Sequence, residues 1–384
     1  MDERHGQVMN ASNSTTHSGR RLAPWLQTQL ESLLTQRGHA WLLGGPSGLG
    51  QFELALALAT AWLCEKPTAQ GACGHCGSCH AVEVHTHADL CMLLPETLSL
   101  SLGWPLDEKT QDDLDGKKRK PSKEIKVDAA REAVSFTQFT RSRGTTKVVL
   151  VFPAERMNHV TANTLLKTLE EPPGAVKFIL ATEAAHQLLP TIRSRCLGHT
   201  MLWPDFEQAL TWLGRETARM GSTDNNTQKT VRPPDTAGLK TLLLRAGGRP
   251  ADVLNWAQGS PASETAQRWL DFPKAMLRGD VGALMDWPPA MAVDALQKLC
   301  HDLWSVRVGA EPRFFSAKDL AAIPERPTGK AGHASHELAG TGLHALASWS
   351  RDLNAIARTV DHPYNPGLLI ESLVSRAKTA LTAA

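Results

Sequence analysis

The chain has 384 residues, a length that allows two or three domains with buried cores. Its 42% hydrophobic and 21% charged residues are ordinary for globular proteins and exclude bulk disorder. A formal net charge of +2 is too small to indicate a nucleic-acid partner by itself. The sequence has no apolar run of the ~18 residues that a membrane span needs. We expect a cytoplasmic, non-membrane protein with a disordered leader at residues 1–20, which lacks the apolar segment of a signal peptide.

A glycine-rich loop, "GGPSGLGQF", lies between a predicted strand and a predicted helix. A working phosphate loop uses backbone amides to hold phosphate, a lysine to neutralise it and a hydroxyl to bind magnesium. Gly45, Gly48 and Gly50 preserve the backbone part, but Gln51 replaces the lysine and Phe52 the hydroxyl. We therefore expect no ATP binding and no hydrolysis. The alternative is that the glycines form only a tight turn required for packing.

Four cysteines crowd the segment after this helix, in the pattern C-x8-C-x2-C-x2-C at residues 64–79. Cys64, Cys73, Cys76 and Cys79 match the ligand set of a tetrahedral zinc site with four thiolates. Closed coordination leaves no position for a catalytic water, so the zinc is expected to be structural. The alternatives are unligated cysteines, or replacement of one thiol by a neighbouring histidine: His75, His80, His85 or His87.

A polar insertion is predicted at residues 97–123. It contains "KKRK" at Lys117 to Lys120, a basic run without interleaved aromatic residues. Such a run is typical of a solvated loop, because it carries no means of reading bases. Contact with DNA is the alternative.

The second half of an ATPase site is also incomplete. The predicted strand "KVVLV" is followed by Phe152 and Pro153, where an acidic pair would hold magnesium, and Glu155 lies too far along to replace it. A helix that Pro172 ends and the strand "VKFILAT" come next. Alternating strands and helices predict an α/β fold with a parallel sheet.

Helical patterns replace the strands after Trp203. We predict a core domain at 21–203, a helical lid at 204–260 and an all-helical collar, or oligomerisation domain, at 261–384. Polar segments interrupt the helices at residues 221–236 and 324–337.

These motifs occur in one order with "NTLLKTLEEPPGAVKFILAT" and "TIRSRC", an order that resembles the clamp-loader branch of the AAA+ ATPases. The resemblance extends from about Arg21 to Arg376 and is densest between Val148 and Cys196. It implies a RecA-like core carrying the zinc module, followed by lid and collar. The double loss of ATPase residues is similar to a non-hydrolysing clamp-loader subunit, which would neither bind nor hydrolyse ATP.

The resemblance also implies a role and partners. Arg195 would be an arginine finger acting in trans on the ATP site of a neighbouring subunit, with Ser194 and Cys196 positioning it. The ring would be a hetero-pentamer with ATPase subunits of the gamma/tau type and a delta-type subunit. It would load a sliding clamp, which this chain contacts indirectly, onto primed DNA. The alternative for Arg195 is a surface arginine that caps the helix after Pro190.

Two further positions follow from the resemblance. Ala251 stands where active relatives carry an arginine in the lid, although Arg249 is only two residues away. Thr182 stands near the sensor position, where it could only form local hydrogen bonds. Two rival functions stay open: an active AAA+ ATPase with an atypical phosphate loop, and a zinc-dependent DNA-binding module.

Overall fold

The structure, a computed structural model, describes residues 22–222, 236–257, 262–321, 323, 335–360, 362 and 364–383. The expected leader at residues 1–20 lies outside them, as do most of the polar segments 221–236 and 324–337. The chain divides into two compact units, the first ending at Asp205 and the second beginning at Phe206.

The first unit is built on a five-stranded parallel sheet. Its strands are β1 (Ala40–Gly44), β2 (Leu90–Leu93), β3 (Lys147–Val151), β4 (Val176–Thr182) and β5 (Leu197–Thr200). They are arranged in the order β2-β3-β4-β1-β5, and every neighbouring pair is parallel. Parallel neighbours need crossover connections, which helices supply here. The predicted α/β parallel sheet is confirmed.

Helices of the first unit connect the strands and form the rest of its core. They are α1 (Pro24–Leu34), α2 (Gln51–Leu63), α3 (Gly77–Glu83), α4 (Glu96–Leu102), α5 (Glu108–Asp115), α6 (Val127–Gln138), α7 (His159–Glu170) and α8 (Pro190–Arg193). Helix α7 begins where the Asn158 side chain accepts a hydrogen bond from Thr161 N at 2.9 Å. It ends just before the Pro172–Pro173 pair, as the sequence predicts.

The insertion at residues 97–123 is more ordered than a solvated loop. It contains most of α4 and all of α5. Its C-terminal part is held by hydrogen bonds to Glu96, which is only 7% exposed. Glu96 accepts hydrogen bonds from Arg119 Nη2 at 3.0 Å and Ser122 N at 2.8 Å. Lys118 pairs with Asp113 at 3.1 Å. Two of the four basic residues of "KKRK" are therefore engaged by carboxylates, which disfavours the DNA-contact alternative.

The described part of the second unit is helical. Its helices are α9 (Phe206–Ser222), α10 (Thr236–Arg245), α11 (Pro250–Ala257), α12 (Ala262–Arg278), α13 (Pro289–Arg307), α14 (Ala317–Leu320), α15 (Ser335–Thr359) and α16 (Pro366–Ala383). One hydrophobic cluster extends from Ala209 to Leu381 and includes the buried Trp269 and Phe272. Helices of the predicted lid and collar thus share a core, and their separation at residue 260 stays a prediction.

Within the described ranges, we found no helix that combines the length and the apolar character needed to cross a bilayer.

Candidate functional site

The glycine loop connects β1 to α2, in the strand, loop and helix order of a phosphate loop. Gly48 and Gly50 have positive φ angles of 80° and 97°. A Cβ atom on Gly45 would lie 2.7 Å from Met201 Cβ, and one on Gly50 would lie 2.6 Å from Leu26 Cδ1. Packing and backbone conformation therefore require these glycines whether or not a phosphate binds.

Gln51 closes the loop from inside. Gln51 is the first residue of α2 and is only 2% exposed. The amide Nε2 donates to Gly45 O at 2.8 Å and to Pro46 O at 2.7 Å. The position of the usual lysine is thus filled by a neutral donor whose hydrogen bonds end on the loop itself.

The two residues that replace the magnesium-binding groups contact each other. The rings of Phe52 and Phe152 are 5.4 Å apart between centroids and are tilted by 40°. Phe52 is 6% exposed, so its ring is part of the protein interior. Two side chains that would bring oxygen atoms to a cation in an ATPase instead form an apolar contact.

Glu155 is held at the end of β4. One of its carboxylate oxygens accepts from Thr182 Oγ1 at 2.6 Å, and the other accepts from Glu183 N at 3.0 Å. Thr182 in turn accepts from Ala184 N at 3.1 Å. Thr182 therefore forms the local hydrogen bonds expected from the sequence, and Glu155 is committed to them.

The four cysteines of residues 64–79 come together. Their sulfur atoms all lie within 4.8 Å of one another. The Cys76–Cys79, Cys64–Cys76 and Cys73–Cys79 sulfur pairs are 3.4, 3.8 and 3.9 Å apart. Four thiolates at about 2.3 Å from a tetrahedral zinc have sulfurs about 3.8 Å apart. The cluster has the size and ligand type of a metal centre.

Backbone N–H groups point at these sulfurs, as is favourable for thiolates. Cys64 Sγ accepts from Lys66 N at 3.4 Å and Cys73 N at 3.3 Å, and Cys76 Sγ accepts from Cys79 N at 3.4 Å. Burial opposes ionisation of Cys76, but hydrogen bonds from Cys79 and the nearby backbone lower its pKa to about 6. Burial raises the pKa of Cys64 and of Cys79, so the local fold favours the deprotonated, metal-binding form at Cys76 but not at every thiol of the cluster.

The neighbouring histidines do not join this group among the residues that the structure describes. Their ring nitrogens contact Cys73 O (His75, 2.8 Å), Glu83 (His80, 3.8 Å), Gly103 O (His85, 2.9 Å) and Asp89 N (His87, 3.1 Å). Four thiols without a histidine remain the best-fitting ligand set.

Arg195 follows α8 and is held by two helices. Its Nε and Nη2 atoms lie 3.2 and 3.1 Å from Glu170 Oε2, at the end of α7. Its Nη1 donates to Thr191 O in α8 at 3.0 Å. The Arg195 side chain keeps 31% exposure. The contact with Thr191 O is also what the helix-capping alternative expects.

Ser194 and Cys196 flank Arg195 in the sequence, and the hydrogen bonds found for the Arg195 guanidinium group go to Glu170 and Thr191. Ser194 Oγ donates to Thr191 O at 3.2 Å, so both side chains end on the same carbonyl. Cys196 packs against the hydrophobic core of the sheet, and burial raises the pKa of its thiol to about 11. Both residues therefore anchor the backbone on either side of Arg195.

Comparison with known proteins identifies the family. The sequence model of a family described as DNA polymerase III, delta subunit, matches residues 22–201. DNA polymerase III subunit delta-prime of Pseudomonas aeruginosa is 38% identical over 263 residues, which cover 68% of this chain and 68% of that protein. The delta-prime subunit of Escherichia coli is 31% identical over 294 residues, 72% of this chain and 77% of that protein. The chain belongs to the delta-prime family of DNA polymerase III subunits.

A more distant relative of this delta-prime family member is DNA polymerase III subunit tau of Escherichia coli. It is 32% identical over 170 residues, which cover 44% of this chain and 22% of tau. The five-stranded parallel sheet and the helical second unit confirm the predicted α/β fold class with a helical C-terminal region.

In this delta-prime family member, neither of the two positions in the predicted lid offers an unengaged cation. Ala251 lies on α11 and has no charge. Arg249 Nε pairs with Asp252 at 2.9 Å, and Arg249 Nη2 lies 3.7 Å from Asp294. The arginine is therefore bound by carboxylates of its own unit.

Sequence reasoning missed two features of the site. Phe52 and Phe152 are 100 residues apart in the sequence, yet their rings contact each other. The sequence shows that each replaces a metal-binding group, but it does not show that the two meet. Glu170 was not identified as a partner of Arg195, although "LEEPP" places two carboxylates at the end of a predicted helix.

Proposed function

We propose that the chain is a non-hydrolysing delta-prime subunit of a DNA polymerase III clamp loader, in which it supports loading of a sliding clamp onto primed DNA during replication. Family membership supports the clamp-loader role. The relatives named tau support partnership with ATPase subunits of the gamma/tau type. A delta-type subunit would complete the proposed hetero-pentamer.

The observation that carries the non-hydrolysing assignment is the contact between Phe52 and Phe152. Phosphoryl transfer depends almost wholly on positioning and on neutralisation of charge by metal and cations. Two packed phenyl rings supply neither, and Gln51 adds no charge. An active ATPase with an atypical loop would need a substitute acid, yet Glu155 is already bound by Thr182 and the Glu183 amide.

Arg195 is the residue by which this subunit would act on a neighbour. Its guanidinium group is partly exposed, and it is held at the end of a short helix rather than buried in the core. A guanidinium group presents paired N–H donors that match phosphate oxygens, and it keeps its charge at any physiological pH. In our proposal it stabilises charge on the phosphoryl group that the neighbouring subunit transfers.

The four-cysteine cluster would hold zinc as a structural ion. Four sulfur ligands close the coordination sphere, so the site would stabilise the segment after α2 rather than activate a water. A zinc-dependent DNA-binding function is less well supported, because residues 71–89 contain no lysine or arginine to contact phosphate.

The Arg195→Ala variant tests the proposed function in a clamp loader reconstituted with its cognate subunits. Arginine fingers contribute about 10³–10⁵ in rate in well-studied GTPases. We therefore expect ATP hydrolysis at the neighbouring site, stimulated by clamp and primed DNA, to fall by at least about tenfold. Gel filtration should show unchanged assembly of the complex.

The matched control is Arg193→Ala, which removes an exposed arginine two residues away at the end of α8. It should leave hydrolysis unchanged. Equal hydrolysis by wild-type and Arg195→Ala complexes would remove Arg195 from the role of trans-acting finger.

A further inference from the structure

Two elements hold the guanidinium group of Arg195 in one orientation. Glu170 Oε2 lies 3.2 Å from Nε and 3.1 Å from Nη2, and Thr191 O lies 3.0 Å from Nη1. Glu170 is the last residue of α7, and Thr191 belongs to α8. Three nitrogen atoms of one planar group are thus engaged from two directions.

Among the residues that the structure describes, the Arg195 side chain hydrogen-bonds only to Glu170 and Thr191, which leaves its remaining donors available. An arginine has five N–H groups in a rigid fork, and the contacts with Glu170 and Thr191 use three of them. The other two belong to Nη1 and Nη2, the nitrogens that form the end of the fork. The side chain is 31% exposed, so part of it is accessible to a group outside this chain.

Fixing the Arg195 guanidinium group before binding favours its interaction with a phosphate group. A long arginine side chain loses rotamer freedom when it engages a ligand, and a side chain that is already fixed loses less. The Glu170 side chain is 58% exposed, so its pairing with Arg195 is a weak surface interaction. Interactions of this class change an equilibrium by about 1.5- to 5-fold.

We propose that Glu170 is a positioning residue that orients Arg195 toward the nucleotide of the adjacent subunit. This inference rests on the proposed role of Arg195 as a trans-acting finger. Glu170 touches neither nucleotide nor phosphate in this arrangement and acts only through the guanidinium group.

The test uses the complete chain assembled with its cognate ATPase and delta-type subunits. Glu170→Gln keeps the size of the side chain and removes its charge. We expect kcat for clamp- and DNA-stimulated ATP hydrolysis to fall by about 1.5- to 5-fold, with KM for ATP unchanged, because the contact formed in the transition state is affected. Glu171→Gln alters the adjacent exposed carboxylate and should leave both constants unchanged.

A double-variant cycle separates positioning from a structural role. If Glu170 acts through Arg195, adding Glu170→Gln to Arg195→Ala lowers kcat no further than Arg195→Ala alone. An equal additional fall in the Arg195→Ala background would overturn the inference, because it would place the effect of Glu170 elsewhere.

The outcomes also separate this inference from the function on which it rests. If Arg195→Ala lowers hydrolysis and Glu170→Gln does not, only the positioning role of Glu170 is refuted. If Arg195→Ala itself leaves hydrolysis unchanged, the finger assignment fails and the role of Glu170 fails with it.

Discussion

The filled glycine loop predicts that the isolated chain does not bind ATP with magnesium at millimolar nucleotide. Displacing Gln51 from Gly45 O and Pro46 O breaks two hydrogen bonds, which together contribute about 1–3 kcal/mol. The missing charged contact of a lysine removes about 1.5–3 kcal/mol more. The sum of about 2.5–6 kcal/mol corresponds to a loss of affinity of about 10²–10⁴-fold relative to an intact loop.

Gln51→Lys restores part of this affinity without restoring the reaction. The added charge should tighten binding of ATP by about 10- to 100-fold over wild type, since a charge-assisted contact contributes about 1.5–3 kcal/mol. Hydrolysis should stay absent, because Phe52 and Phe152 still occupy the place of the magnesium-binding groups. Gln51→Leu is the control, since it removes the hydrogen bonds to the loop without adding charge.

Equilibrium dialysis with labelled ATP, with and without magnesium, measures these affinities on the chain alone. Micromolar binding by the wild-type chain, strengthened by magnesium, would refute the reasoning from Gln51 and the phenylalanine pair. So would turnover by Gln51→Lys.

Metal analysis of protein from a zinc-replete culture should find about one zinc per chain, and Cys76→Ser should lower both zinc content and the midpoint of thermal unfolding. A zinc-free, well-folded preparation would contradict the four-thiolate site. Burial raises the pKa of Glu96, but hydrogen bonds from Arg119 and Lys126 outweigh it and lower that pKa from 4.5 to about 2. Glu96 therefore stabilises the fold above pH 4.5, by about 2–3 kcal/mol, and this contribution is lost as the pH falls through 2. Denaturant unfolding of Glu96→Gln should lack that pH dependence; an unchanged profile would contradict it.

Long apolar runs made the centre of the sheet predictable. Strands β1, β3 and β4 are mostly hydrophobic and almost fully buried, as expected for strands covered on both faces, although β3 begins with Lys147 and β4 includes Lys177. Strand β5 was not predicted, because its four residues include a glycine and a histidine and are mostly exposed at the sheet edge. Strand β2 has only four residues and incomplete burial, so it carries a weak pattern.

The ligands of the candidate metal centre were predictable and the partners of Arg195 were not, for one physical reason. Cysteine spacing within 16 residues restricts which sulfurs can meet, so the sequence alone defines the cluster. The contact between Glu170 and Arg195 crosses 25 residues and depends on how α7 and α8 pack. Either adjacent carboxylate of "LEEPP" could have been chosen before that packing was known.

The two halves of a phosphate loop respond to different physical demands, which explains how one can remain without the other. Gly45 is required by the close approach of Met201 Cβ, and Gly50 by its positive φ angle, and both features exist without any ligand. The fold does not require a lysine or a hydroxyl at positions 51 and 52. There Gln51 forms hydrogen bonds to the loop and Phe52 packs against Phe152. Glycine spacing alone therefore indicates a backbone shape, whereas nucleotide chemistry must be inferred from charge and metal ligands.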